Sequence, residues 1–169
     1  MRILRTATVI FVLDGIFAIA TVWSRLGTAA PARVMKAVAS GLLGKAAATG
    51  GAGTVLLGMA CHFTVALGWT LGFALLWRGV PAIQRLVRGT GGAWTVAGIY
   101  GACMWLGMCY VVIPLSRATA LTPDNWRFWA NFVWHIVGLG PVIVFSITGS
   151  ARRVHLSTRT SIPDGRAIV

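Results

Sequence analysis

The sequence predicts an all-α fold: a four-helix transmembrane bundle with one amphipathic interfacial helix between the first and second spans. Three observations predict it. The 169-residue chain is 57% hydrophobic and only 11% charged, whereas soluble domains carry about 25% charged residues. Four apolar stretches are each long enough to cross a hydrocarbon core of about 30 Å, which takes about 20 helical residues. Basic residues and tryptophans gather at the ends of those stretches, where headgroups and an aromatic belt would sit. A water-soluble chain of this size needs far more charge to cover its surface, so lipid is the natural solvent here.

The first span runs from Thr6 to Ser24, between Arg5 and Arg25. Read alone it could pass for a signal peptide, with Arg2 and Arg5 as a basic head and Ala18-Ile19-Ala20 as a cleavage site. Asp14 in the middle of its apolar region argues against that. The second span covers Thr54 to Trp77 and stops at Arg78. The third covers Gly92 to Leu115, and the fourth Phe128 to Gly149, before Arg152 and Arg153. Trp23, Trp77, Trp94, Trp126 and Trp129 mark the ends.

Between the first two spans, Pro31 to Thr49 reads as neither a loop nor a further span. Pro31 is suited to the first turn of a helix. Val34, Met35, Val38, Ala39 and Leu42 can share one face and leave Arg33 and Lys36 towards the other, the pattern of a helix lying in an interface. Gly50, Gly51 and Gly53 then supply a bend. Residues 1–150 form a single transmembrane domain in this reading, and 151–169 a flexible basic tail with a Pro163-Asp164-Gly165 turn signal.

The charge balance is lopsided, with 15 Lys plus Arg against 3 Asp plus Glu, a net of +12. These basic residues form no continuous stripe interleaved with aromatics, so the balance points to the lipid bilayer and its anionic headgroups, not to nucleic acid. The side that holds both termini has nine: Arg2, Arg5, Arg78, Arg85, Arg88, Arg152, Arg153, Arg159 and Arg166. The other side has six: Arg25, Arg33, Lys36, Lys45, Arg117 and Arg127. The majority favours cytoplasmic termini. Cys61, Cys103 and Cys109 lie within spans and read as buried structural thiols, not as a disulfide framework.

The string Ala39-Ser40-Gly41-Leu42-Leu43-Gly44, followed by Gly50-Gly51, Leu57-Gly58, His62 and Pro114-Leu115-Ser116, resembles a group of small uncharacterised bacterial inner-membrane proteins with four helices. The resemblance covers the first 120 residues or so. It implies the fold and an inner-membrane location; that group has no established activity, so it implies nothing about mechanism.

Ionisable residues inside a membrane are costly, about 2.5–3.5 kcal/mol for an aspartate at a helix centre, and tend to face the bundle interior. Asp14, His62 and His135 qualify. At about 1.5 Å of rise per residue they lie roughly 15, 12 and 10 Å below the non-cytoplasmic end. They should therefore meet in one layer as a polar core, together with Asn131 one turn before His135. Asp14 shares a stripe with Ala7, Ala18 and Thr21, and His62 with Gly58 and Ala66. Gly68 and Gly72 make a small-xxx-small pair suited to close helix contact.

Several roles are compatible with that layer. The plainest is a hydrogen bond between Asp14 and a histidine that locks helix register. His62 and His135, on parallel, diagonal helices, could instead bind a haem iron axially, or one of them the magnesium of a chlorophyll-type pigment, with Asp14 in support. A proton- or ion-coupled transporter would use the same residues, but the core has no second acid and the chain no convincing repeat. Cys103, Met104, Met108 and Cys109 cluster on the third span in a way that suits a soft metal, although methionine at helical spacing is ordinary core filler. No paired carboxylates, activated nucleophile or phosphate-binding loop is present in the sequence, and an enzyme is not expected. The sequence thus points first to a non-enzymatic accessory or stabilising subunit of a larger membrane assembly.

Overall fold

A computed structural model describes residues 2–119 and 122–149. The six helices of these segments are α1 (Arg2–Leu26), α2 (Ala30–Leu43), α3 (Ala52–Gly79), α4 (Pro81–Leu86), α5 (Thr90–Leu115) and α6 (Trp126–Thr148). Four of them, α1, α3, α5 and α6, are long and apolar enough to cross a membrane. Their outer faces stay apolar at mid-length, with Ile16 60%, Ile99 61% and Val137 62% exposed. Hydrocarbon tolerates such a surface and water does not. The basic tail expected over residues 151–169 lies outside the described residues.

The helix boundaries follow from local chemistry. Gly27 takes φ +50° and Gly44 φ +61°, a left-handed backbone that turns the chain at either end of α2 at little steric cost. A short tight-wound segment, Gly44–Thr49, then leads through Gly50 and Gly51 into α3. Pro81 opens α4, a short helix unforeseen in the sequence, and Gln84 ties it back by donating to the carbonyls of Trp77 (2.9 Å) and Arg78 (3.2 Å). Asn125 caps α6, its side-chain oxygen accepting from the N–H of Arg127 at 3.1 Å.

Two prolines widen the helices that carry them. In α5 the residues Met108–Val112 form a π-type turn just before Pro114, and in α6 the residues His135–Leu139 form another just before Pro141. Proline has no N–H and its ring collides with the carbonyl four residues earlier, here Tyr110 and Val137. A wider turn relieves that collision without ending the helix.

Packing is uneven around the bundle. α1 lies against α3 and α6, and α5 against α6. The α5–α6 approach is close because the chain has glycines there: a Cβ on Gly101 would overlap the His135 carbonyl, and one on Gly140 the Ala97 carbonyl. α3 and α5 meet through large side chains. Tyr100 donates to the Trp69 carbonyl (2.5 Å), its ring lies 5.0 Å from that of Phe73, and Trp69 sits over Gly107. The dry core, with Phe73, Val96, Met104, Ile143 and Val144, fills the half of the bundle nearest the start of α1.

Of the pair expected to make close interhelical contact, Gly68 and Gly72, only Gly72 approaches another helix. Gly68 has open space around it, and Gly72 faces only the Tyr100 hydroxyl. Close contact on α3 occurs instead at Gly58, where a Cβ would overlap the Met35 carbonyl of α2. α2 thus lays an apolar face on α3, with Ala30, Met35 and Ala39 buried, while Leu42 is 59% exposed. The N–H of Arg117, just past α5, donates to the Gly41 carbonyl at 2.9 Å and ties α2 to that end of the bundle.

Candidate functional site

In the half of the bundle beneath α2 lies a cavity of about 500 Å³. Its wall is mostly apolar, and Asp14, His62, His135 and Asn131 all line it. The three ionisable residues that the helical rise places in one layer are therefore brought to one space.

Asp14 from α1 and His62 from α3 face each other directly. The His62 Nε2 lies 3.7 Å from an Asp14 carboxylate oxygen, with side chains 14% and 22% exposed respectively. That separation is too long for a hydrogen bond, and the buried Nε2 has no other partner. The Phe11 ring lies 5.2 Å from the imidazole, tilted by 55°, and closes one side of it. Small neighbours leave the room: Ala66, one turn along α3, and Ala18, one turn along α1, both line the cavity.

His135 is held differently. It begins the wide turn of α6, and its Nδ1 lies 2.8 Å from the Asn131 carbonyl. A carbonyl only accepts, so Nδ1 is the donor in this contact, and the tautomer it selects has its lone pair on Nε2. The Asn131 amide donates to the Arg127 carbonyl at 2.9 Å, which fixes the residue below. An imidazole oriented through Nδ1 by a backbone carbonyl, with Nε2 left as the basic nitrogen, is the arrangement metal-ligating histidines use. Among the described residues no three of His, Cys, Asp and Glu gather closely enough to hold a metal ion by themselves.

Both wide turns border this space: Met108, Cys109 and Tyr110 contribute from α5, His135 and Leu139 from α6. Of the four sulfur residues grouped in the sequence, Met104, Met108 and Cys109 line the cavity, and Cys103 is exposed outside it. Sequence reasoning missed several parts of the wall. Val34 and Val38 of α2 reach it, as do Thr119, Thr122 and Pro123 of the α5–α6 connection and Trp69 of α3. The valines were legible as part of an apolar face; nothing local marks the threonines.

Comparison of the chain with protein-family models, with curated proteins and with solved structures finds no match.

Proposed function

We propose that this chain is a non-enzymatic, multi-pass membrane protein that holds one small, largely apolar molecule in the cavity under α2, gripped through Asp14, His62 and His135. The observation that carries this reading is convergence. The three ionisable residues of the spans come from three different helices and border a single apolar space. Its volume, about 500 Å³, falls in the range of small-molecule sites, about 300–1,000 Å³. A bacterial inner-membrane location with cytoplasmic termini is part of the proposal. It rests on the nine-to-six distribution of basic residues and on the sequence resemblance.

A tetrapyrrole is the ligand class favoured by His135, whose Nδ1–H···O=C contact leaves Nε2 free to bind haem iron or a pigment magnesium. His62 would be the second ligand in a haem, or would pair with Asp14 beside a singly ligated pigment. The test is a visible spectrum of the protein purified in mild detergent, followed by solvent extraction and mass spectrometry. A stoichiometric molecule present in the wild type, and lost in both His135→Ala and the cavity-filling Ala18→Phe, is the expected result. A Soret-type band identifies it as a haem. If wild type and Ala18→Phe release the same compounds in the same amounts, the cavity is not a ligand site.

A second reading, an accessory subunit of a larger assembly, is favoured by α3. Gly53, Gly68 and Gly79 share one outer face with Leu75 and stand in open space, a surface on which another helix can pack closely. Co-purification of a fixed partner in gentle detergent, abolished by Gly68→Leu, is the outcome this reading requires.

A further inference from the structure

At the other end of the bundle, between the start of α1 and the end of α6, lies a second cleft of about 420 Å³. Arg2, Arg5 and Thr6 line it from α1, with Val9 one turn deeper; Phe145 and Ser146 face them from α6. Residues three and four apart share a helix face, so both guanidiniums and the threonine hydroxyl reach the same space. Polar groups occupy the outer part and apolar ones the inner part.

Two features mark this cleft as made for an anion. Among the described residues the only carboxylates are Asp14 and Asp124. Asp14 stands nine residues beyond Arg5, about 13 Å along the helix, and faces His62. Asp124 precedes α6, at the opposite end. Neither can serve the two arginines. The second feature is Thr6. It is 3% exposed, yet among the described residues its hydroxyl has no hydrogen-bond partner, whereas Thr8 and Thr21 of the same helix bond back to the carbonyls of Leu4 and Ala18. A threonine so enclosed usually spends its hydroxyl on a partner, and this one opens only onto the cleft.

We propose that the cleft seats the phosphodiester of one anionic phospholipid. Arg2 and Arg5 bind the phosphate oxygens, for which the planar guanidinium fork is well matched. The hydroxyls of Thr6 and Ser146 donate to the same oxygens, and Val9 and Phe145 pack on the first carbons of the acyl chains. A choline headgroup would bring its own cation against two guanidiniums, so the cleft selects lipids with a net negative head. This inference is independent of what the cavity under α2 holds; it needs only a chain seated in lipid.

The experiment is native mass spectrometry of the full chain in mild detergent, titrated with phosphatidylglycerol or phosphatidylcholine. The wild type should retain a first phosphatidylglycerol in clear preference to phosphatidylcholine. Arg2→Gln/Arg5→Gln should lower that preference by about 25-fold, at about fivefold per arginine near an anionic head. Thr6→Val keeps shape and charge, so it should lose several-fold with unchanged helix content; if the arginine variant fails to fold, this one decides. Arg25→Gln/Arg33→Gln, at the opposite end, should leave the preference intact. The proposal is overturned by a wild-type preference in both Arg2→Gln/Arg5→Gln and Thr6→Val, or by an equal loss in the opposite-end variant, which would mean diffuse charge. Displacement of the lipid by millimolar glycerol phosphate would also overturn it, making the site one for soluble phosphate.

Discussion

Alanine placed at two neighbouring glycines of α5 should give opposite results. A Cβ on Gly101 would lie 2.7 Å from the His135 carbonyl carbon and 2.9 Å from the Ile136 Cα, both backbone atoms. The His135 carbonyl oxygen lies closer still, and ordinary contact begins near 3.4 Å, so α6 must retreat by more than about 0.7 Å at this point, and overpacking of that kind costs about 1–3 kcal/mol. A Cβ on Gly98 meets only the Ile136 Cγ2, at 3.7 Å. Gly98→Ala therefore keeps the helix-propensity gain of about 0.5–1 kcal/mol with no clash. The propensity gain is common to both, so the two variants should differ in unfolding free energy by the overpacking cost, about 1–3 kcal/mol, with Gly101→Ala the weaker. Equilibrium unfolding in mixed micelles, titrated with SDS and followed by far-ultraviolet circular dichroism, measures this difference. If Gly101→Ala proves as stable as Gly98→Ala, the α5–α6 crossing is not held by backbone contact at His135, and the positioning of that histidine needs another cause.

Three further expectations follow from the packing. Gly58→Ala should loosen α2 from α3, because the new methyl overlaps the Met35 carbonyl; hydrogen exchange across α2 should accelerate in that variant and stay unchanged in Gly68→Ala. Tyr100→Phe removes the bond to the Trp69 carbonyl and should cost about 0.5–1.5 kcal/mol in the same SDS titration. His62→Leu strands Asp14 beside an apolar wall and should destabilise by about 1–3 kcal/mol, whereas Asp14→Leu/His62→Leu should come within about 1 kcal/mol of wild type. A double-mutant cycle reads that asymmetry, and a double variant weaker than both singles would refute it.

The long helices were legible because a bilayer imposes a length and an apolar composition that few other environments require. The span read from Thr54 to Trp77 forms within Ala52–Gly79, and the one from Gly92 to Leu115 within Thr90–Leu115. The common layer of Asp14, His62 and His135 was legible for a related reason: helical rise is fixed, so position along a span converts to depth. Rotation about each axis is set by crossing partners, and these are not written locally. Gly68 and Gly72 have the spacing of a contact pair, yet Gly68 stands free and the backbone-to-backbone contact falls at Gly58, because α2 folds back over that part of α3. The cavity wall from Thr119 and Thr122 depends on where a loop lands, and single-residue chemistry does not encode that.

The position of the cavity has a structural cause. α3 and α5 are propped apart by Trp69, Phe73 and Tyr100, and a bundle whose helices are wedged at one level cannot close at the next without bending. Pro114 and Pro141 fall where α5 and α6 pass that level, and the wide turns before them carry Met108, Cys109 and His135. A π-type turn inserts one residue into the helical repeat, so it shifts the facing of the side chains on either side of it. Without the turn at Pro141, Asn131 and His135 would keep one register with Leu139 and Ile143, both fully buried in the close-packed part of α6. With it, the upper half of α6 can turn Asn131 and His135 to the open space while the lower half keeps Ile143 and Val144 in the dry core. Pro141→Ala separates the two accounts. If the proline fixes the wide turn, hydrogen exchange at residues 135–139 should slow as ordinary helical bonds form, and any ligand extracted with the wild type should be lost. Unchanged exchange there would mean that close packing at Gly101 and Gly140, and not the proline, sets the facing of His135.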